Sequence, residues 1–247
     1  MNKPALVLLH GWGVNRCVWN TVANRLRHRF RVSALDLPGY GDPSVARDAD
    51  NLTAMAMNLL TAVPRQAVWL GWSLGGMVAL RMAKLAPGRV TGLVLVGTTP
   101  RFVASPDWEH GVEAHQLTKF AADLAADYER TLGRFLLLQA GRVAHARRVA
   151  RDLGRHIARC GAPTGEVLDA SLHALVSADL RSELPAIRAP VRIIHGQFDR
   201  LVSPGAARYL ARRLPAAELT VLPDAGHAAF ISDPDAFAAL IDLGAGE

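Results

Sequence analysis

The chain has 247 residues, half of them hydrophobic, with 28 Lys and Arg against 22 Asp and Glu and a net charge of +6. That size and apolar content suit one α/β domain with a large core and room for an insertion, and they exclude a disordered or low-complexity chain. No basic-then-apolar leader opens the sequence and the run Ala5–Leu9 is far too short to span a membrane, so a soluble cytoplasmic protein is expected.

Short runs rich in Val, Leu and Ile alternate with longer helical patterns, which reads as a mostly parallel sheet with helices on both faces. Strands are expected at Ala5–Leu9, Arg31–Asp36, Ala67–Leu70, Thr91–Val96, Val191–His195 and Glu218–Leu222. Helical stretches fall around Trp19–His28, Leu52–Val63 and Leu74–Leu85, the last stopping near Pro87-Gly88. Two more lie at Pro204–Leu214 and Pro234–Leu243. Between Pro100 and Pro190 the rhythm breaks: Leu117–Leu138, Val143–Ala158 and Gly165–Ser177 are helical, with no convincing strand. Residues 1–100 and 190–247 are therefore expected to form the core, and 101–189 an inserted helical cap over the C-terminal strand edge, where open α/β sheets place their sites.

Gly71-Trp72-Ser73-Leu74-Gly75 joins an apolar strand to the helical pattern Met77, Val78, Leu80, Met82. A serine on so sharp a turn has its hydroxyl pushed out of the sheet edge, and glycines two positions either side avoid collision with the neighbouring strand and helix. A serine hydroxyl attacks only when a base takes its proton and a third group holds that base. The expected base is His227, on a glycine-preceded loop after the last strand; the expected acid is Asp199, four residues past the preceding strand. The order Ser73, Asp199, His227 is that of α/β-hydrolases. Asp36 competes as the acid but suits a turn in Leu37-Pro-Gly-Tyr-Gly41. His195 is expected in a core or supporting role, and His10 as a loop-fixing residue. The amides of Trp12, between two glycines, and of Leu74, at a helix start, can form an oxyanion hole.

Two cysteines, Cys17 and Cys160, are too few for a disulfide framework and lack metal-site spacing, so both are expected to be ordinary buried apolar residues. Charge is concentrated. Eight arginines (Arg130, Arg134, Arg142, Arg147, Arg148, Arg151, Arg155 and Arg159) face the single acid Asp152, a local excess greater than the charge of the whole chain. Such a patch fits an acidic partner or a solvated helix face equally well.

The strings His10-Gly-Trp-Gly13, Asp36-Leu-Pro-Gly39, Trp69-Leu-Gly-Trp-Ser-Leu-Gly-Gly76, Arg134-Phe-Leu-Leu-Leu-Gln139, Asp179-Leu-Arg181 and Gly226-His-Ala-Ala-Phe-Ile-Ser232 together resemble the α/β-hydrolase superfamily, and within it the pimeloyl-[acyl-carrier protein] methyl ester esterases of biotin synthesis (BioH type). The resemblance implies an α/β-hydrolase fold and hydrolysis of a carrier-bound methyl ester by Ser73, Asp199 and His227, with Trp12 and Leu74 as oxyanion hole and no metal or organic cofactor. It implies that Trp12, Phe135 and Gln139 bind the acyl chain. It also implies that Arg130, Arg134, Arg147 and Arg151 dock an acidic acyl carrier protein, the enzyme being a monomer with no nucleic-acid or membrane partner. One departure is that Ala5 opens the first strand almost at once, which predicts a sheet a strand or two shorter at that edge.

Two other readings share these residues. A lactonase or carbon–carbon bond hydrolase would use the same triad and fold. A binding protein on a dead hydrolase fold is disfavoured by the complete triad and by the absence of basic-aromatic interleaving suited to single-stranded nucleic acid.

Overall fold

The computed structural model describes residues 3–41, 43–139 and 146–242. Six strands, β1 (Ala5–Leu9), β2 (Arg31–Leu35), β3 (Ala67–Trp72), β4 (Val90–Val96), β5 (Val191–Gly196) and β6 (Ala217–Leu222), form one sheet in the order β2-β1-β3-β4-β5-β6. Every pairing is parallel. The helices are α1 (Asn20–Leu26), α2 (Leu52–Thr61), α3 (Leu74–Leu85), α4 (Ala114–Ala126), α5 (Tyr128–Gln139), α6 (Ala146–Arg159), α7 (Gly165–Ser177), α8 (Pro204–Arg213), α9 (Ala229–Ser232) and α10 (Pro234–Ala239).

The continuous apolar runs are strands because a parallel sheet is covered on both faces and needs no polar alternation. β1 and β3 are buried throughout, and Trp69 and Trp72 are among the largest fully buried side chains. Burying each such leucine or valine contributes about 1.5–3 kcal/mol. β2 is the half-exposed edge beside β1.

The interval between β4 and β5 holds α4 to α7 and, among its described residues, only isolated bridges. Its neck is closed by polar contacts: Leu180 N donates to Pro100 O at 2.8 Å, and the Arg101 guanidinium meets Asp179 at 2.9 Å. Arg181 holds both Asp179 and Asp107, at 2.7 and 2.8 Å. The stretch Leu117–Leu138 is two helices rather than one. Asp127 separates them: its amide closes α4 on Asp123 O at 3.1 Å, and its carboxylate accepts the Arg130 amide at 3.1 Å to start α5. Of the expected Val143–Ala158 helix, residues 143–145 lie outside the described residues, as do Arg142 and Leu243.

The cysteines correct the reading of the sequence. Cys17 and Cys160 form a disulfide, and Cys17 is half-buried and Cys160 exposed rather than both lying in the core. Their distance of 143 positions hides the pairing, which arises only when α6 folds back onto the turn Arg16–Trp19.

The turn from β3 into α3 is the tightest place in the fold. A Cβ on Gly71 would come within 2.2 Å of Gly75 O, and one on Gly75 within 2.5 Å of His10 O and 2.6 Å of Leu9 O. These obstacles are backbone and cannot swing aside. Gly75→Ala is therefore expected to destabilise the protein by about 1–3 kcal/mol or more, read as a lower urea midpoint; an unchanged midpoint would contradict this packing.

Candidate active site

Ser73 has φ 54° and ψ −117°, and among the described residues no other non-glycine has positive φ. A serine holds such a backbone only when its surroundings over-determine it. Here its amide donates to Val96 O at 3.0 Å, and its carbonyl accepts from Thr98 Oγ1 at 2.7 Å and from the Gly76 amide at 2.9 Å. Ser73 stands at the N-cap of α3, yet its side chain makes no capping bond, so the hydroxyl is not spent on the helix.

His227 lies across the same small cavity. Its Nδ1 donates to Asp199 Oδ2 at 2.8 Å, while Asp199 Oδ1 accepts the amides of Leu201 and Val202 at 2.9 and 2.8 Å. That carboxylate is thus fully engaged and fixes the imidazole tautomer that leaves Nε2 as a bare acceptor. Nε2 is buried and has no hydrogen-bond partner among the described residues. In a substrate-free serine hydrolase the hydroxyl–imidazole bond is often long and tightens on binding. Trp72 steadies the other end of the residue, its Nε1 donating to His227 O at 3.0 Å.

His195 supports the acid from behind: its Nε2 bonds Val202 O at 2.9 Å and lies 3.3 Å from Asp199 Oδ2. Burial holds its pKa below the usual histidine value, so it stays neutral beside the carboxylate. Asp36 accepts the Arg16 amide at 2.7 Å and pairs with the Arg16 guanidinium at 2.8 Å, a structural role.

The loop His10–Gly13 is clamped from four sides. His10 Nε2 accepts the Leu37 amide at 2.9 Å, which leaves Nδ1 to donate to Gly11 O at 2.7 Å. The Trp12 indole donates to Leu168 O in α7 at 3.1 Å. The amide of Gly13 donates to Tyr40 Oη at 3.2 Å, and its carbonyl accepts from Tyr128 Oη in α5 at 3.0 Å. Tyr40 reaches on to Ser171 in α7 at 2.9 Å. Burial pushes the Tyr40 phenol up to about 12 and raises that of Tyr128, so both remain neutral. Neither tyrosine stands out in the sequence. Only the position of Tyr40 between Gly39 and Gly41, on the turn after β2, hints at its role.

Gly11, Trp12, Ser73, His227 and Phe135 line one cavity of about 20 Å³, closed by apolar residues including Phe120, Leu117 and Leu175. That is room for a water-sized group. Leu74, directly after Ser73, is fully buried at the first turn of α3. Gln139 is buried but outside the cavity lining; its carbonyl accepts the Ala228 amide at 3.4 Å, beside His227. Phe120 and Phe135, their rings 4.9 Å apart and tilted by 34°, also wall a surface groove of about 520 Å³ that carries Arg130 and Arg134. Arg147 and Arg151 lie on α6, which packs against α5. All four arginines are exposed and form no ion pair among the described residues. A further groove of about 590 Å³, between α1, α6 and α10, touches neither Ser73 nor His227, so its size does not make it the reaction site.

A serine on a strained strand-to-helix turn, with a carboxylate-held imidazole at the C-terminal edge of a parallel sheet, defines the hydrolase class. Residues 4–234 match the alpha/beta hydrolase fold family, and the chain belongs to it. It is a carboxylic ester hydrolase by its relatives. It is 43% identical to a pimeloyl-[acyl-carrier protein] methyl ester esterase of Nitrosomonas europaea over 98% of this chain and 95% of that one. It is 42% identical to the protein of that name in Aromatoleum aromaticum, over 98% of both chains. Among solved structures, an esterase from Exiguobacterium antarcticum superposes with a TM-score of 0.82 at 23% identity, over 97% of this chain and 91% of that one. An enol-lactonase from Burkholderia xenovorans superposes at 0.80 and 22%, over 98% and 90%. These two share the fold.

Burial pushes the pKa of His10 down from 6.5 to about 4, and holds that of His195 down as well. Unfolding lets both rise to ordinary values, so between pH 6.5 and 4 the unfolded chain binds more protons and the folded state loses stability as pH falls. Each histidine contributes a slope of up to about 1.4 kcal/mol per pH unit. Urea midpoints should drop over that window, and His10→Gln, though less stable at pH 7, should show a shallower drop. Equal slopes for the two proteins would contradict the buried neutral imidazole.

Proposed function

We propose that the protein is a serine carboxylesterase that hydrolyses the methyl ester of pimeloyl-[acyl-carrier protein], releasing methanol and the free acid on its carrier. The observation that carries the chemistry is the His227–Asp199 bond of 2.8 Å, with Nε2 unpartnered among the described residues, beside a serine whose backbone is forced into positive φ. The substrate class is supported by two relatives above 40% identity that bear that name over almost the whole chain.

In this reading His227 takes the Ser73 proton as the hydroxyl attacks the ester carbonyl, and the amides of Trp12 and Leu74 bind the oxyanion. His227 then protonates the departing methanol. Water, activated by the same imidazole, frees the acid. No step calls on a metal or organic cofactor. Residues 1–100 and 190–247 serve as the core and 101–189 as the cap. The cavity at Ser73 has room for about one water-sized group, so its Phe120 and Phe135 wall gives way when a methyl ester end reaches the serine. The rest of the acyl chain and its carrier-linked arm run past Phe135 and Phe120, with Gln139 supporting the His227 side, into the groove beside Arg130 and Arg134. An acidic carrier then meets Arg130, Arg134, Arg147 and Arg151 on the adjoining helices α5 and α6. Among the described residues no helix is long and apolar enough to cross a membrane.

Purified protein should release methanol from the carrier-bound ester, and Ser73→Ala should lower kcat by about 10⁶-fold with the fold retained. Near-normal turnover in that variant would end the serine mechanism. The carrier reading separates from a lactonase or small-ester reading by charge. Reversing Arg147 and Arg151 to glutamate should raise KM for the carrier-bound ester tenfold or more, and about 0.3 M salt should act in the same direction. Hydrolysis of a small soluble ester should barely change. Equal losses on both substrates would argue against carrier docking.

A further inference from the structure

Cys17 belongs to the turn that follows the His10–Gly13 loop, whereas Cys160 closes the C-terminus of α6, between β4 and β5 in sequence. Their bond is one of several contacts that converge on the last turn of that helix. Asn15 Nδ2 donates to Ile157 O at 3.0 Å and Gly161 O at 2.9 Å, and Asn15 Oδ1 accepts the Cys17 amide at 3.1 Å. Asn20 Nδ2 donates to His156 Nε2 at 2.6 Å. The ligating atoms of Cys17, His156 and Cys160 all lie within 4.8 Å of one another. Cys160 and His156 are exposed, so a small thiol reaches the pair from solvent. The chain has no other cysteine, so the pair has only two internal states and no competing partner.

From this geometry we propose that Cys17 and Cys160 form a reversible thiol–disulfide modification site that locks α6 onto the core. α6 carries Arg147 and Arg151, packs on α5, which carries Arg130 and Arg134, and touches α9 just after His227. Oxidation holds this arginine surface in place before any partner arrives. Reduction removes the covalent tie, leaves α6 held by the asparagine contacts and by its packing on α5 and α9, and weakens capture of the carrier. This consequence for turnover rests on the esterase reading above; the modification itself does not.

The chemistry balances by exchange. One cysteine thiolate attacks a sulfur of a small-molecule disulfide, such as oxidised glutathione, and expels one thiolate. The second cysteine thiolate then attacks the mixed disulfide, forms the Cys17–Cys160 bond and releases the other small thiolate. Two protons leave the cysteines and two electrons pass to the oxidant; a dithiol runs the sequence backward.

Purified protein equilibrated with oxidised glutathione, or with dithiothreitol, is alkylated with iodoacetamide and weighed intact. The oxidised form should take up no alkyl group and the reduced form two. Closing a loop this long should raise Tm by roughly 5–10 °C in the oxidised form. The Cys17→Ser, Cys160→Ser double variant should show no redox-dependent change. KM for the carrier-bound ester should rise roughly three- to tenfold on reduction, with hydrolysis of p-nitrophenyl acetate within twofold. Two alkyl groups on the glutathione-treated protein would overturn the site, as would protection that disappears when a chelator strips bound Zn²⁺. Equal KM in the two states would overturn its coupling to the carrier. A redox-dependent mass and Tm in a protein that hydrolyses the small ester but never the carrier-bound one would uphold the site and overturn the carrier reading instead.

Discussion

The close approach of β3, α3 and the end of β1 governs everything around Ser73. Gly71 and Gly75 let backbone meet backbone where a methyl group would collide, and the chain between them turns through a conformation that a serine adopts only under constraint. The Val96 carbonyl, at the end of the neighbouring strand β4, and the Thr98 hydroxyl, just past it, supply part of that constraint. The result is a side chain that stands at a helix N-cap without capping it. Strain there is tolerated because the surrounding sheet is dry and continuous: β1, β3 and most of β4 are buried from end to end.

The second half of the site is organised by charge rather than by strain. Asp199 spreads its negative charge over two amides and one imidazole, with a neutral histidine close behind. A carboxylate so engaged cannot swing away, and the ring it holds keeps one orientation. Strain at Ser73 and charge at Asp199 thus come from different strands and meet only through His227, on the loop after β6.

Much of this is legible in the amino-acid order because it is local. Buried parallel strands are plain Val-Leu-Ile runs, and β1 and α3 have the bounds their patterns predict. Ser73, Asp199 and His227 each stand just past such a run, so their position at strand ends follows directly. What depends on distant segments is not legible. Leu117–Leu138 keeps its helical pattern through Asp127, and only the two-sided hydrogen bonding of that aspartate breaks it. The cysteine pair and the tyrosines on Gly13 join residues more than 25 positions apart, contacts that no spacing encodes. Arg130 and Arg134 are conspicuous as charge, but the groove that connects them to the cavity through two phenylalanines is a property of packing.

Gly13 sits at a junction. Its carbonyl is held by α5, its amide through Tyr40 by α7, and the neighbouring indole also by α7. Any outward swing of these two helices pulls at the same peptide in the loop that lines the cavity at Ser73. A loop wired this way keeps its shape only while both helices stay in place, so the floor of the cavity beside Ser73 and the helices above it are one mechanical unit.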